Sequence, residues 1–204
     1  MPDKISLAIQ AGGNFRRMGE DKGLKLFLDR PLIQRVVERI STVGDEILIT
    51  TNHPADYAFL KLRLVQDLIP DCGAFGGIYT ALAAASFPMV AVVACDMPFA
   101  SAALLKAAIT LLVQEEVDVV IPRSIAGLEP MHAIYRRSTC LPSVLAAIQA
   151  GQLKISDWLS SVRVRELSLQ EAVAVEPAGL AFMNVNSPME FLGAEILARS
   201  SQDR

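Results

Sequence analysis

Apolar runs of strand length alternate with stretches of helical periodicity along nearly the whole chain. The strand-length runs are Ile5–Ile9, Glu46–Ile49, a short Leu62–Val65, Met89–Ala94 and Val117–Ile121, and between them Leu32–Ile40, Gly76–Ala85 and Ala102–Val113 repeat their apolar positions at helical spacing. Continuous rather than alternating apolar strands belong in a sheet covered on both faces, so the pattern predicts a mostly parallel sheet flanked by helices. Pro98, shortly before Ser101 and a run of alanines, predicts a turn with Ser101 as the N-cap of the third helix.

The regular winding pauses after Ile121. Pro122, Gly127 and Pro130 break the chain before a short strand-like Met131–Tyr135, then a helix Leu141–Ala150, a less regular Leu153–Leu169 and a closing helix Pro188–Ala198. The reading is one domain over residues 1–204, with an insertion over the sheet at about 122–170. There are no repeats.

Length and composition narrow this picture. A chain of 204 residues suffices for one sizeable core and is short for two. With 52% apolar residues and only 6% aromatic, that core is aliphatic. A net charge of −3 argues against a nucleic-acid partner, and the basic residues near the first loop suit a small anion better than a polymer. Cys72, Cys95 and Cys140 are odd in number and lack C-x-x-C spacing, so they read as free thiols in a reducing compartment. The N-terminus lacks an apolar export core, and the longest apolar stretch is too short to cross a bilayer, so the expected location is cytoplasmic, away from membranes.

The first strand runs into AGGNFRRMGEDKG, Ala11 to Gly23. Glycine lets main-chain N–H groups approach phosphate oxygens, and successive inward amides form an anion-binding concavity. Arg16, Arg17 and Lys22 bring positive charge to the same loop. An ordinary strand-to-helix turn with a basic rim would explain a lone Gly-Gly, but not glycine, arginine and lysine converging here. The loop lacks G-x-G-x-x-G, which disfavours a dinucleotide-binding dehydrogenase, and no G-x-x-x-x-G-K-[ST] occurs, which disfavours a P-loop NTPase.

These residues resemble the nucleotide-binding signature of the MobA-like nucleotidyltransferases, L-A-G-G-x-x-x-R-M-G-x-D-K-x-L, most closely that of the molybdenum cofactor guanylyltransferases. Ala11-Gly12-Gly13, Arg17-Met18-Gly19 and Asp21-Lys22 match, while Gln10 stands where leucine is usual. The resemblance implies a three-layer, doubly wound (Rossmann-like) sheet of the nucleotide-diphospho-sugar transferase type. It implies Mg²⁺-dependent transfer of GMP from GTP to the phosphate of molybdenum-molybdopterin, with pyrophosphate released. Molybdoenzymes or other cofactor-biosynthesis proteins are then further partners. Alternatives are a cytidylyltransferase for the same cofactor, a guanylyltransferase for another phosphorylated small molecule, and a non-catalytic GTP-binding module. Gln10, Ala11, Gly12, Gly13 and Lys22 are candidate nucleotide-binding residues, and Arg17 and Lys22 candidate catalytic cations.

Ligands of open α/β sheets lie beyond the carboxyl ends of the strands, and the remaining candidates fall there. Asp96 follows a buried strand, where a carboxylate serves equally as a Mg²⁺ ligand or as a cap for the next helix. Its Cys-Asp-Met-Pro-Phe setting resembles the family's C-D-x-P-[FY], which implies that Asp96 binds nucleotide and Mg²⁺. Asp67 and Asp71 occupy a loop ending in Gly73, Gly76 and Gly77, which reads equally as a flexible helix start or a close approach to a base or ribose. By resemblance Asp67 contacts the nucleotide, Gly73 and Gly77 line its site, and Asn52 after the second strand is a further contact. Ala-Gly-Gly rather than Ala-Ala-Gly in the first loop favours guanine over cytosine. Asn184 and Asn186, two apart in FMNVNSP, would share one face of an extended segment. Asparagine before Pro188 also suits a turn, but resemblance to N-x-N-[ST]-P assigns the pair to the acceptor. Glu129-Pro130-Met131-His132 resembles a stretch bordering the acceptor, and His132 alone reads as a surface or packed residue rather than a base. Trp158, Met89 and Met97 read as packing.

Overall fold

The computed structural model describes residues 4–11 and 21–202. The first strand, β1 (Ile5–Gln10), is buried at all six positions, as a strand with both faces covered must be. It pairs in parallel with β4 (Glu46–Thr50) on one side and β6 (Met89–Ala94) on the other. β5 (Arg63–Val65) extends the sheet in parallel beyond β4. A small hairpin, β2 (Leu26–Phe27) and β3 (Arg30–Pro31), stands apart from the main sheet.

Beyond β6 lies β9 (His132–Arg136), antiparallel both to β6 and to β7 (Val119–Ser124). β8 (Gly127–Leu128) folds back on β7, and β10 (Val164–Leu167) closes the edge in parallel with β7. The order is β5-β4-β1-β6-β9-β7-β10. The expected insertion over the sheet is corrected here, because residues 132–136 and 164–167 are strands of the sheet itself. The reason is visible in β9. Ile134 faces one core while Ala133 and Tyr135 face the other, so this strand needs cover on both sides and finds it only inside the sheet.

Helices α1 (Leu32–Ile40) and α3 (Ala102–Gln114) cover one face, packing Val36 and Leu105 against Leu7, Ile9 and Val93. On the opposite face α2 (Gly73–Ala84) and α4 (Arg137–Gln149) set Ile78 and Val144 against Ala8, Val90 and Val92, beside Trp158 of the short α5 (Ile155–Trp158). Each such buried aliphatic side chain contributes about 1.5–3 kcal/mol. This is the expected three-layer α/β arrangement, Rossmann-like and mostly parallel. The Ser101 hydroxyl accepts the Leu104 N–H and caps α3, as its sequence predicts.

A third cluster fixes the C-terminal segment. Phe191, Ala194 and Ala198 of α7 (Pro188–Gln202) meet Phe27 and Phe99, with Phe27 and Phe191 edge to face at 5.4 Å. A short helix, α6 (Leu169–Val175), precedes α7 and opens with a Ser168–Glu171 capping box. Trp158 packs on Phe75 and donates its indole N–H to Ser143, and Met89 and Met97 are core residues. The three cysteines are free thiols. Among the described residues no helix is long and apolar enough to cross a membrane.

Candidate functional site

The candidates gather at the carboxyl edge of the central strands. Gln10 lies in register with Thr50 of β4 and Ala94 of β6. The ladder continues one step further, with Ala11 N–H donating to the Thr50 carbonyl (2.8 Å) and Cys95 N–H to the Gln10 carbonyl (3.0 Å). Asn52 therefore emerges two residues past Thr50 on one side of β1, and Asp96 two residues past Ala94 on the other. Gly12, Gly13, Arg16 and Arg17 lie outside the described residues, between Ala11 and Asp21.

Lys22 reaches the Asp96 side of this edge. The Asp21 carboxylate accepts the Gly23 N–H (3.0 Å) and caps a single 3₁₀ turn at Lys22–Leu24, which fixes where Lys22 starts. The Lys22 ammonium donates to Oδ1 of Asn186 (2.7 Å) and stands 3.6 Å from the Asp96 carboxylate. Val185 N–H donates to the Asp96 carbonyl (3.0 Å), tying the asparagine segment to the end of β6. Burial pushes the Asp96 carboxyl above its usual range, with Lys22 opposing the shift. A desolvated carboxylate with one ammonium beside it among the described residues keeps oxygen lone pairs for a hard cation, a donor set that suits Mg²⁺ with phosphate and water completing the shell. Among the described residues no group of three or more His, Cys, Asp or Glu could hold a metal by itself.

Across β1, Asn52 and Asp67 clasp each other. Asn52 Nδ2 donates to Asp67 Oδ2 (2.9 Å), and Asp67 N–H to Asn52 Oδ1 (3.4 Å). Burial raises the Asp67 carboxyl, with the Asn52 bond opposing. Gly77 is held to glycine by contact, since a Cβ there would come within 1.7 Å of Gln10 Nε2. Gln10 thus fills the seam between β1 and α2, and its buried Oε1 has no partner among the described residues. Gly73 is held to glycine by backbone, with a φ of +54° at the first turn of α2 and, among the described residues, open space where a side chain would stand. Asp71 also takes a positive φ of 60° just before this turn.

Asn184 and Asn186 do not form a strand, yet both line one cavity of about 970 Å³ between α3, α6, α7 and the β7–β8 turn. His132 is fully buried, accepts the Ser101 N–H on Nε2 (3.1 Å) and sits edge to face with Phe182. It is a packed histidine. Sequence reading missed Glu190, which accepts the N–H groups of Asn186 (2.7 Å) and Ser187 (2.8 Å) and so sets the asparagine that meets Lys22. The signal was present as Ser187-x-x-Glu190, a capping-box spacing with Pro188 at the first helical position.

Comparison with known proteins identifies the family. The MobA-like NTP transferase domain model matches residues 7–166. The chain is 34% identical over 194 residues to the "Probable molybdenum cofactor guanylyltransferase" of Pelotomaculum thermopropionicum, covering 95% of this chain and 93% of the relative. It is 31% identical over 201 residues to the "Molybdenum cofactor guanylyltransferase" of Desulfosudis oleivorans, covering 98% of each. The crystal structure of molybdopterin-guanine dinucleotide biosynthesis protein A from Archaeoglobus fulgidus superimposes with a TM-score of 0.83 at 25% identity, over 96% of this chain and 99% of that one. With the domain model matching most of its length and these relatives aligned over nearly all of it, the chain belongs to the MobA-like NTP transferase family.

Proposed function

We propose that the protein transfers GMP from GTP to the phosphate of molybdenum-molybdopterin, giving the guanine dinucleotide form of the cofactor and pyrophosphate, in the cytoplasm. The observation that carries this reading is the cluster of Lys22, Asp96 and Asn186 at the carboxyl edge of the central strands. The names of the two relatives, aligned over nearly the full chain, support GTP and a molybdenum cofactor as the substrates.

In the proposed step a phosphate oxygen of the acceptor attacks the α-phosphorus of GTP, and the bond to the bridging oxygen of the departing pyrophosphate breaks. The nucleophile is already an anion, so no general base is required, and alignment and charge stabilisation do the rest. Ala11, Gly12 and Gly13 offer amides to the triphosphate, and Arg17 and Lys22 offset charge building on the pyrophosphate. Gln10, Gly73 and Gly77, with Asn52 and Asp67, make up the nucleoside-binding set at the carboxyl end of β1 and the start of α2. Asn184 and Asn186 face the acceptor. Asp96 would hold Mg²⁺, which when bound supplies charge neutralisation at the phosphates.

The test is thermal melting with GTP, CTP or ATP, each with and without Mg²⁺, followed by turnover with the acceptor. A ligand at a hundred times its dissociation constant stabilises by about 2.7 kcal/mol, enough to rank the bases. GTP should stabilise most, and only with Mg²⁺ present. A larger shift with CTP would favour cytidylyl transfer, and GTP binding without GMP transfer would favour a non-catalytic module.

A further inference from the structure

We propose that Glu129 reads the acceptor, its carboxylate receiving the two adjacent N–H donors of a 2-amino-4-oxo pyrimidine ring, the edge that a pterin presents. This rests on the guanylyl-transfer reading for what the acceptor is. Glu129 lies on the wall of the cavity that also holds Asn184 and Asn186. Its backbone is fixed at both ends, the N–H donating to the Pro122 carbonyl (2.9 Å) and the carbonyl accepting the His132 N–H (3.0 Å). One carboxylate oxygen accepts the Ser124 hydroxyl (2.6 Å). The side chain is therefore aimed before any ligand arrives.

What it lacks is a cation. Among the described residues no lysine or arginine lines this cavity, whose other walls include Leu104, Ile125, Val173 and Phe182. A half-buried carboxylate against apolar walls is costly unless donors meet its remaining lone pairs, and burial accordingly raises its proton affinity, with the Ser124 bond opposing. Of the other two acids of the cavity, Glu176 likewise accepts one serine hydroxyl, that of Ser101, and Glu190 accepts two backbone amides. Three acids, with no cation among the described lining residues, repel a phosphate. A neutral ring carrying two parallel N–H groups suits Glu129, while the phosphate of the same molecule is drawn to Lys22 beside Asn186. The cavity thus separates ring from phosphate by charge.

The same hydrogen-bonding edge occurs in guanine, so the test separates the two sources. The full chain is titrated with 6-hydroxymethylpterin by fluorescence, with lumazine, which lacks the 2-amino donor, and with guanosine. Glu129→Gln keeps an oxygen for Ser124 but turns an N–H towards the ring's donors. The expected result is pterin binding at least about tenfold tighter than lumazine in the native protein, with that preference lost in Glu129→Gln, the scale of a mismatched buried polar pair. The GTP-induced melting shift of Glu129→Gln reports a folded nucleotide site. Equal pterin binding by both proteins overturns the proposal, as does Glu129-dependent binding of guanosine in place of pterin. A native protein that binds pterin through Glu129 but transfers no GMP would sink the transferase reading and leave this one standing.

Discussion

Lys22 and Asn186, 164 residues apart in sequence, meet at 2.7 Å beside the Asp96 carboxylate. The lysine is thereby held between the end of β6 and the segment before α7, with its ammonium shared between a neutral amide and an anion. Removing one preorganised cation from a charged transition state costs about 10²–10³ in rate. Lys22→Ala should weaken GTP binding and lower kcat together, with the fold intact. Asn186→Ala should lower kcat less and raise the acceptor KM. If the two act as a unit, the double variant will be little worse than Lys22→Ala alone. Unchanged kinetics in Lys22→Ala would remove it from the site.

Asp96→Asn separates charge from shape. The native carboxyl is desolvated and its proton affinity raised, so its ionised form carries a folding cost at neutral pH that the amide does not. The variant should melt at or near the native temperature while losing GMP transfer and the Mg²⁺ dependence of the GTP-induced shift. Transfer at the native rate would refute the metal-binding role.

Gly77 and Gln10 make a coupled pair. A methyl group at position 77 would overlap Gln10 Nε2, and overpacking of this kind costs about 1–3 kcal/mol unless the neighbour withdraws. Gly77→Ala should therefore be destabilised in urea unfolding, with GTP bound more weakly. Adding Gln10→Ala should recover most of the stability. If the double variant is as unstable as the sum of its parts, the two residues are not in the contact described.

What the sequence made legible follows the strength of its local signals. The continuous apolar runs located β1, β4, β6 and the central helices to within a few residues, and the Pro98–Ser101 pattern located a cap. The β2–β3 hairpin was missed because its turn, Leu28-Asp29, has positive φ at both positions without the glycine or asparagine that advertises one. Pro142 made α4 look as though it began four residues later than it does, since proline is usual at a helix start and this one sits inside. The place of β9 within the sheet depends on which strands lie beside it, and no local pattern carries that. At the site, Asp96 and Lys22 stand out in sequence by their motifs, but their convergence with Asn186 is a property of the tertiary fold. Glu129 belongs by sequence only to a motif bordering the acceptor, because the absence of a lysine or arginine beside it among the described residues is visible only once the cavity is built.

The buried His132 makes stability depend on pH in a defined window. Its Nε2 accepts the Ser101 N–H, so the neutral ring carries its proton on Nδ1, and a second proton would set two donors against each other. Desolvation lowers its pKa from 6.5 to about 4. The unfolded chain therefore binds a proton that the folded chain refuses between those values, and the stabilisation is complete above pH 6.5 and lost as pH falls towards 4. The slope approaches 1.36 kcal/mol per pH unit, about 3 kcal/mol across the window. Asp67, Asp96 and Glu129, whose carboxyls are raised, act in the opposite sense, so the difference between two proteins isolates the histidine better than one curve. Glutamine can offer an oxygen to Ser101 without titrating. Urea unfolding at pH 7, 6 and 5 should show the native protein losing stability relative to His132→Gln as the pH drops. Parallel curves would mean that the ring is already protonated in the folded state or accessible to water.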